Sequence, residues 1–163
     1  MMNNLYYLSE DQQAIRTLAR ELARERIAPR AAHVDETGDY PHEQLKLLGQ
    51  QGLMGLHIPE EYGGTAAGSL AFCLAAEEVA WACASTSTIF LVQNLGGYPI
   101  IFAGSEEQKR HYLPKLATGE MTAAFSLSEP GSGSDAAAMA CRAVPKGGRY
   151  VLNGSKMWGT NGS

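Results

Sequence analysis

The residue types best suited to chemistry lie in a glycine- and serine-rich loop. Residues Gly131 to Ala136 match the pattern G-x-G-x-x-A, the looser form of a dinucleotide-binding fingerprint. Small residues let backbone N–H groups approach an anion, and Ser132 and Ser134 add hydroxyl donors. A plain Gly-Ser turn between strands has the same composition. The loop alone therefore leaves a phosphate site and an ordinary turn as open alternatives.

The residues that follow the loop argue against a Rossmann site. A crossover helix should come next, but Pro145 and Gly147-Gly148 occupy that stretch. No Asp or Glu occurs in the sequence after Asp135, so the acidic residue that would bind a ribose is missing. The preceding hundred residues also have helical patterns instead of alternating strands and helices.

Glu77 and Glu78 are poor candidates for a proton acceptor, although one of them could face the interior from an apolar helix. Buried charges are usually partnered, so the competing interpretation is a paired helix carboxylate. Cys73, Cys83 and Cys141 lack CxxC spacing, which argues against a disulfide framework and a zinc site and predicts three buried, inert thiols in a reducing cytoplasm. The sequence therefore predicts no metal site.

Bulk composition narrows the class of protein. The 163 residues carry a net charge of −4, which gives no electrostatic reason to expect nucleic-acid binding. Apolar residues make up 45% of the chain, enough to build a core. No stretch resembles a signal peptide or a membrane span. We expect a soluble, cytoplasmic protein.

Helical periodicity dominates the first two thirds of the chain. Ser9 with Gln12, and Ser105 with Gln108, have capping-box spacing and predict two helix starts. Apolar residues from Ile15 to Ile27 recur at helical spacing.

Further helices are predicted from Pro41 to Gly52, from Ser69 to Ala84 and from Thr86 to Leu95. Two prolines predict breaks in the helical pattern. Pro29 should kink or end the first helix, and Pro114 should interrupt the last one.

Near Gly119 the pattern changes to short apolar runs between glycine-containing turns. Thr122 to Ser128, Tyr150 to Leu152 and Met157-Trp158 are predicted strands, with turns at Lys146 to Gly148 and at Asn153-Gly154. The sequence thus predicts an all-helical domain at residues 1–119 and an incomplete β-domain at residues 120–163. So few strands with open edges are marginal, and we expect the chain to end inside a domain.

Several segments together resemble the acyl-CoA dehydrogenase family. Phe125 to Asp135 is similar to its flavin-binding signature, and Tyr150 to Gly162 is similar to its second motif. Ile58 to Gly64 and Gly104 to Gly119 match further upstream. The matches occur in order over nearly the whole chain. At Gly159 the family usually has an aliphatic residue, and the change could loosen packing beside the flavin ring.

The resemblance implies a mainly α fold: a helical-bundle N-terminal domain, then the first strands of a β-barrel-like middle domain, with a second helical domain completing the site. It implies FAD as cofactor, an acyl-CoA thioester as substrate and α,β-dehydrogenation as reaction. Electron-transfer flavoprotein is the implied electron acceptor, and the whole protein is expected to form a homotetramer in fatty acid metabolism.

Carried over by position, the resemblance assigns seven residues to FAD. Phe125, Leu127 and Ser128 would pass along the isoalloxazine, and Trp158 would cover one ring face. Ser128 and Thr160 would donate near N5 and the pyrimidine edge. Gly133 and Ser134 would meet the pyrophosphate, and Ser134 would also lie near the CoA part of the substrate.

No catalytic residue is assigned within the chain. In the family the proton-abstracting base is a glutamate of the second helical domain, so residues 1–163 alone are expected to be inactive and to bind FAD poorly. Glu129 is expected to brace the flavin-binding loop instead of taking a proton. The alternatives are a flavin oxidase or monooxygenase of the same fold and a non-catalytic helical module. The length of the acyl chain stays open.

Overall fold

The computed structural model describes residues 7–162 and is mostly helical. The chain divides into two compact units, one ending at Ala123 and the other beginning at Ala124. The helices are α1 (Glu10–Leu22), α2 (Ala28–Thr37), α3 (His42–Gln50), α4 (Gly68–Ala82), α5 (Ala84–Ala103) and α6 (Glu106–Thr118). A π-helical turn, Ala23–Ile27, joins α1 to α2, and short 3-10 turns lie at Leu53–Gly55, Glu60–Tyr62 and Ala136–Ala138. Within residues 7–162, no helix combines the length and apolar character needed to cross a membrane.

Both predicted capping boxes start helices. Ser9 caps α1 and Ser105 caps α6, each by a reciprocal pair of backbone and side-chain hydrogen bonds with a glutamine three residues later. Helix α3, which was predicted from Pro41 to Gly52, begins at His42, with Pro41 as the residue before it. Gly52 lies beyond its end and has a φ of 77°.

Pro29 was predicted to kink or end the first helix, and it does not end it, since the helical course continues through Pro29 to Thr37. The π-helical turn lies immediately before Pro29, and there the N–H of Ala28 donates to the carbonyl of Ala23. Pro29 stands at the start of α2, directly after this π-helical turn.

The prediction that Pro114 would interrupt the last helix is also wrong, because α6 includes it. Pro114 removes one backbone donor, and burial of its neighbours offsets the loss. Leu113 is fully buried and Leu116 is 3% exposed, and burying such a side chain contributes about 1.5–3 kcal/mol.

The helical unit contains the apolar core. Helices α1 and α4 pack together, and α5 packs against both α4 and α6. A second cluster joins α6 to the Ile58–Gly64 loop through Ile58, Tyr62, Leu113, Leu116 and Ala117. The expectation of three buried cysteines is wrong for Cys73, which is exposed on α4, while Cys83 is buried and Cys141 half-buried.

The second unit holds one antiparallel hairpin, in which β1 (Arg142–Lys146) pairs with β2 (Arg149–Asn153). The predicted strand at Tyr150 to Leu152 and the turn at Gly147-Gly148 are confirmed. Both turn glycines have positive φ, 58° and 75°, which a two-residue hairpin turn of this kind requires.

Two predicted strands are absent from the described residues. Thr122 to Ser128 forms a single bridge, between Phe125 and Thr160, and no ladder, and Met157-Trp158 is irregular. Side-chain hydrogen bonds and isolated backbone hydrogen bonds hold these two segments. Their runs of apolar residues therefore do not form a regular sheet. Gly154 forms a bend and not the second hairpin turn.

Candidate flavin site

The two predicted flavin motifs lie side by side in the second unit. Phe125 forms an antiparallel bridge with Thr160. The hydroxyl of Ser126 donates to the carbonyl of Met157 at 3.2 Å, and the amide of Met157 donates to the carbonyl of Ser128 at 2.8 Å. Residues 125–128 therefore run antiparallel to residues 157–160, although almost 30 residues separate them in the sequence.

The paired segments expose an apolar and aromatic surface. Trp158 is 82% exposed and has a φ of +58°, a conformation uncommon for a side chain of this size. Leu127 is 43% exposed, while Phe125, Ser128 and Thr160 are half-buried. An exposed indole offers a planar ligand a face for stacking.

Gly159 leaves ordinary space beside this surface. A methyl group placed there would lie 3.4 Å from the Ser126 hydroxyl oxygen, which is van der Waals contact and no clash. Glycine is therefore not required at this position by the local backbone.

The glycine-serine loop is a tight turn that leaves donors available. Glu129 and Ser132 exchange backbone hydrogen bonds of 2.9 and 3.1 Å, and the buried Ser132 hydroxyl donates to the carbonyl of Asp135 at 2.7 Å. Gly133 and Ser134 are exposed and, within residues 7–162, make no hydrogen bond. Two free amides and a hydroxyl suit phosphate oxygens, so the donor set fits the pyrophosphate of FAD.

Glu129, the residue at which this turn begins, forms a charged pair with Lys156. The Glu129 carboxylate accepts from the amides of Ala140 at 2.7 Å and Cys141 at 3.0 Å, and from the Lys156 ammonium at 2.8 Å. Lys156 and these amides hold the pKa of Glu129 below its usual value. The Glu129 carboxylate is therefore engaged in hydrogen bonds, and its partner Lys156 was not predicted from the sequence.

The other candidate carboxylate is also engaged. Glu78 is buried and accepts from Arg20 at 2.6 Å and from Arg16 at 3.2 Å, and the Arg20 hydrogen bond lowers its pKa despite its burial. This agrees with the paired-carboxylate interpretation. Glu77 is exposed. Within residues 7–162, no cluster of three His, Cys, Asp or Glu could hold a metal ion.

The chain spans less than half the length of the relatives that it resembles. It is 42% identical over 159 residues to the probable acyl-CoA dehydrogenase YngJ of Bacillus subtilis, covering 97% of this chain and 42% of that protein. A chain from a structure described as the electron transferring flavoprotein of Acidaminococcus fermentans matches with a TM-score of 0.91 and 39% identity, covering 96% of this chain and 42% of that one.

An acyl-CoA dehydrogenase of Bacillus anthracis, solved in complex with FAD, matches with a TM-score of 0.86 and 36% identity, covering 94% of this chain and 27% of that one. The family model described as "Acyl-CoA dehydrogenase, N-terminal domain" matches residues 9–120. Because that match takes in more than half of the sequence, and the similarity to these relatives continues through both flavin motifs, the chain belongs to the acyl-CoA dehydrogenase family.

Proposed function

We propose that this chain provides the flavin-binding motifs of an FAD-dependent acyl-CoA dehydrogenase, which introduces an α,β double bond into an acyl-CoA thioester. The observation that carries the proposal is the antiparallel pairing of residues 125–128 with residues 157–160. The FAD complex of the Bacillus anthracis relative supports the choice of cofactor.

The residues of the proposed site divide the cofactor between them. Trp158 and Leu127 present the exposed apolar surface to the isoalloxazine, with Phe125 behind it. Ser128 and Thr160 donate hydrogen bonds to the edge of the ring. Gly133 and Ser134 bind the pyrophosphate, and Ser134 also approaches the CoA part of the substrate. When bound, FAD supplies the hydride acceptor that the desaturation requires.

Neither engaged carboxylate is proposed as the base that removes the α-proton. Glu78 is committed to two arginines, and Glu129 to Lys156 and two amides. Taking a proton would break these bonds, and a lowered pKa makes each group a weaker base. The proton therefore goes to a group other than these two.

The electron acceptor and the assembly are further parts of the proposal. Electron-transfer flavoprotein is the proposed acceptor, in keeping with the description of the Acidaminococcus relative. A homotetramer and a place in fatty acid metabolism rest on the family resemblance, and a cytoplasmic location rests on three cysteines without paired spacing.

The proposal is tested on the full-length protein that contains residues 1–163, since these residues alone are expected to bind FAD poorly. The protein is purified and saturated with FAD, and acyl-CoAs of several chain lengths are added without oxygen. Dehydrogenation should bleach the visible absorption of the flavin and yield the enoyl-CoA. Turnover that consumes oxygen and needs no other acceptor would instead identify a flavin oxidase. Failure to retain FAD would contradict both and favour a non-catalytic module.

Two variants locate the cofactor in the same experiment. Ser134→Ala and Thr160→Ala should each weaken FAD binding by about 1–2 kcal/mol, because each removes a hydrogen bond to a buried partner. Ser69→Ala, at an exposed serine of α4 outside both motifs, is the matched control and should leave FAD affinity unchanged.

A further inference from the structure

One lysine connects three segments of the second unit. The Lys156 ammonium donates to the carbonyl of Leu127 at 2.8 Å and to the Glu129 carboxylate at 2.8 Å, and it touches the Met139 sulfur at 3.5 Å. Glu129 in turn accepts from the amides of residues 140–141. The pair thus joins the first motif, the second motif and the chain that enters β1.

The pair sits where the register of the two motifs is decided. Leu127, whose carbonyl Lys156 holds, precedes Ser128, whose carbonyl accepts from Met157. Lys156 itself precedes Met157 and lies two residues before Trp158. Fixing Lys156 against Leu127 therefore fixes which residues of the two motifs face each other.

Apolar packing does not compensate for this pair. Among the described residues after Ala123, only Ser132 is buried, and no apolar side chain is. The Glu129 side chain is only 6% exposed, so this hydrogen-bonded carboxylate is among the best shielded groups of the unit. Charge-assisted bonds of this kind are the stronger hydrogen bonds in proteins.

We propose that Glu129 and Lys156 are positioning residues for flavin binding: they hold the Leu127–Ser128 and Met157–Thr160 segments in register without touching the cofactor. The inference rests on the proposed flavin site. It assigns cofactor affinity to an ion pair behind the site, in addition to the residues that line it.

The test is the FAD dissociation constant of Lys156→Met, measured by quenching of flavin fluorescence at a temperature where circular dichroism shows a fully folded protein. Losing bonds to a charged group should raise this constant by about tenfold or more. Lys146→Met makes the same substitution at an exposed position of β1 and should change the constant less than about twofold. Lys156→Arg keeps the positive charge and can still donate the two hydrogen bonds, so it should keep most of the affinity that Lys156→Met loses.

A double-mutant cycle separates positioning from a general loss of stability. Glu129→Gln should weaken FAD binding as well. The double variant should weaken binding by less than the sum of the two single effects, since both single variants remove the Glu129–Lys156 bond and only Lys156→Met also removes the bond to Leu127. Glu129→Gln also decides the outcome should Lys156→Met fail to fold. A purely structural role would lower the unfolding temperature and leave the dissociation constant of the folded protein unchanged.

Two results have different meanings. If the wild-type protein binds FAD, and Lys156→Met and Glu129→Gln bind it as tightly as Lys146→Met does, this inference alone is overturned. Wild-type protein that does not bind FAD would overturn the proposed function and this inference with it.

Discussion

At the scale of single residues, His57 is a half-buried base whose two ring nitrogens are shielded from water. Within the described part of the chain, neither ring nitrogen makes a hydrogen bond, and the rings of Tyr98 and Phe72 lie 5.3 and 6.1 Å away. Gly97 packs so closely that a methyl group there would be 2.9 Å from Nε2. Burial lowers the pKa of His57 from 6.5 to about 4.

This pKa predicts a pH-dependent stability. Between the two pKa values the unfolded chain binds a proton that the folded chain does not, so stability falls as pH decreases from about 6.5 towards 4. His57→Phe should remove this dependence, and its stability relative to wild type should rise by about 1–2 kcal/mol between about pH 7 and pH 5. Urea unfolding at several pH values measures the difference.

His111→Phe is the matched control for that experiment, since His111 is exposed on α6. Its stability should follow the wild-type pH profile. Parallel profiles for wild type and His57→Phe would show that His57 is not held neutral in the folded protein.

The residues that could be predicted from sequence are those whose neighbours lie nearby in the chain or within a known motif. The capping serines Ser9 and Ser105 are local, and Glu129 lies within a motif. Lys156 was missed because its partners are 27 and 29 residues away. Gln93 was missed for the same reason: its buried amide binds the carbonyls of Leu116 and Met121 and the amide of Ala123.

At the scale of elements, the base of the hairpin depends on Gly154. Its φ is +142°, and a methyl group there would lie 2.7 Å from the Cα of Cys141. Because Cα is a backbone atom and not the end of a flexible side chain, it cannot move aside easily. Glycine is therefore required at this position, both for its backbone conformation and for the close approach of the two chains.

Gly154→Ala should open the β1–β2 hairpin, at a cost of about 1–3 kcal/mol for the strained backbone and the clash. Trypsin should then cut at Arg142, Lys146 and Arg149 about tenfold faster, because cleavage follows the population of the open form. Gly131→Ala, at a glycine with open space around it, should be cut at the wild-type rate. Equal rates for both variants would contradict the prediction.

Helix starts were predictable at this scale, whereas helix ends and irregular strands were not. Each capping box is a local pattern that formed as expected. Pro29 and Pro114 failed as breakers because a π-helical turn and the burial of Leu113 and Leu116 accommodate them. Thr122 to Ser128 failed as a strand because it shares only one bridge with the second motif.

At the scale of the whole molecule, the two units are stabilised in different ways. The helical unit has an apolar core of aliphatic and aromatic residues, including the fully buried Phe90 and Leu48. The second unit, over its described residues, depends on a hairpin, the Glu129–Lys156 pair and isolated backbone hydrogen bonds. A unit held by hydrogen bonds exchanges its amides more readily than a packed core, so a bound ligand should protect it visibly.

The most direct test of the proposed flavin site is therefore amide hydrogen exchange of the full-length protein that contains these residues, with and without saturating FAD. We predict that FAD protects residues 125–134 and 157–162 from exchange, with the amides of Gly133 and Ser134 among the most affected. The exposed hairpin turn at Gly147-Gly148 should exchange equally in both states. Protection confined to other residues, or no protection when FAD is bound, would contradict the assignment of the flavin site to the paired motifs.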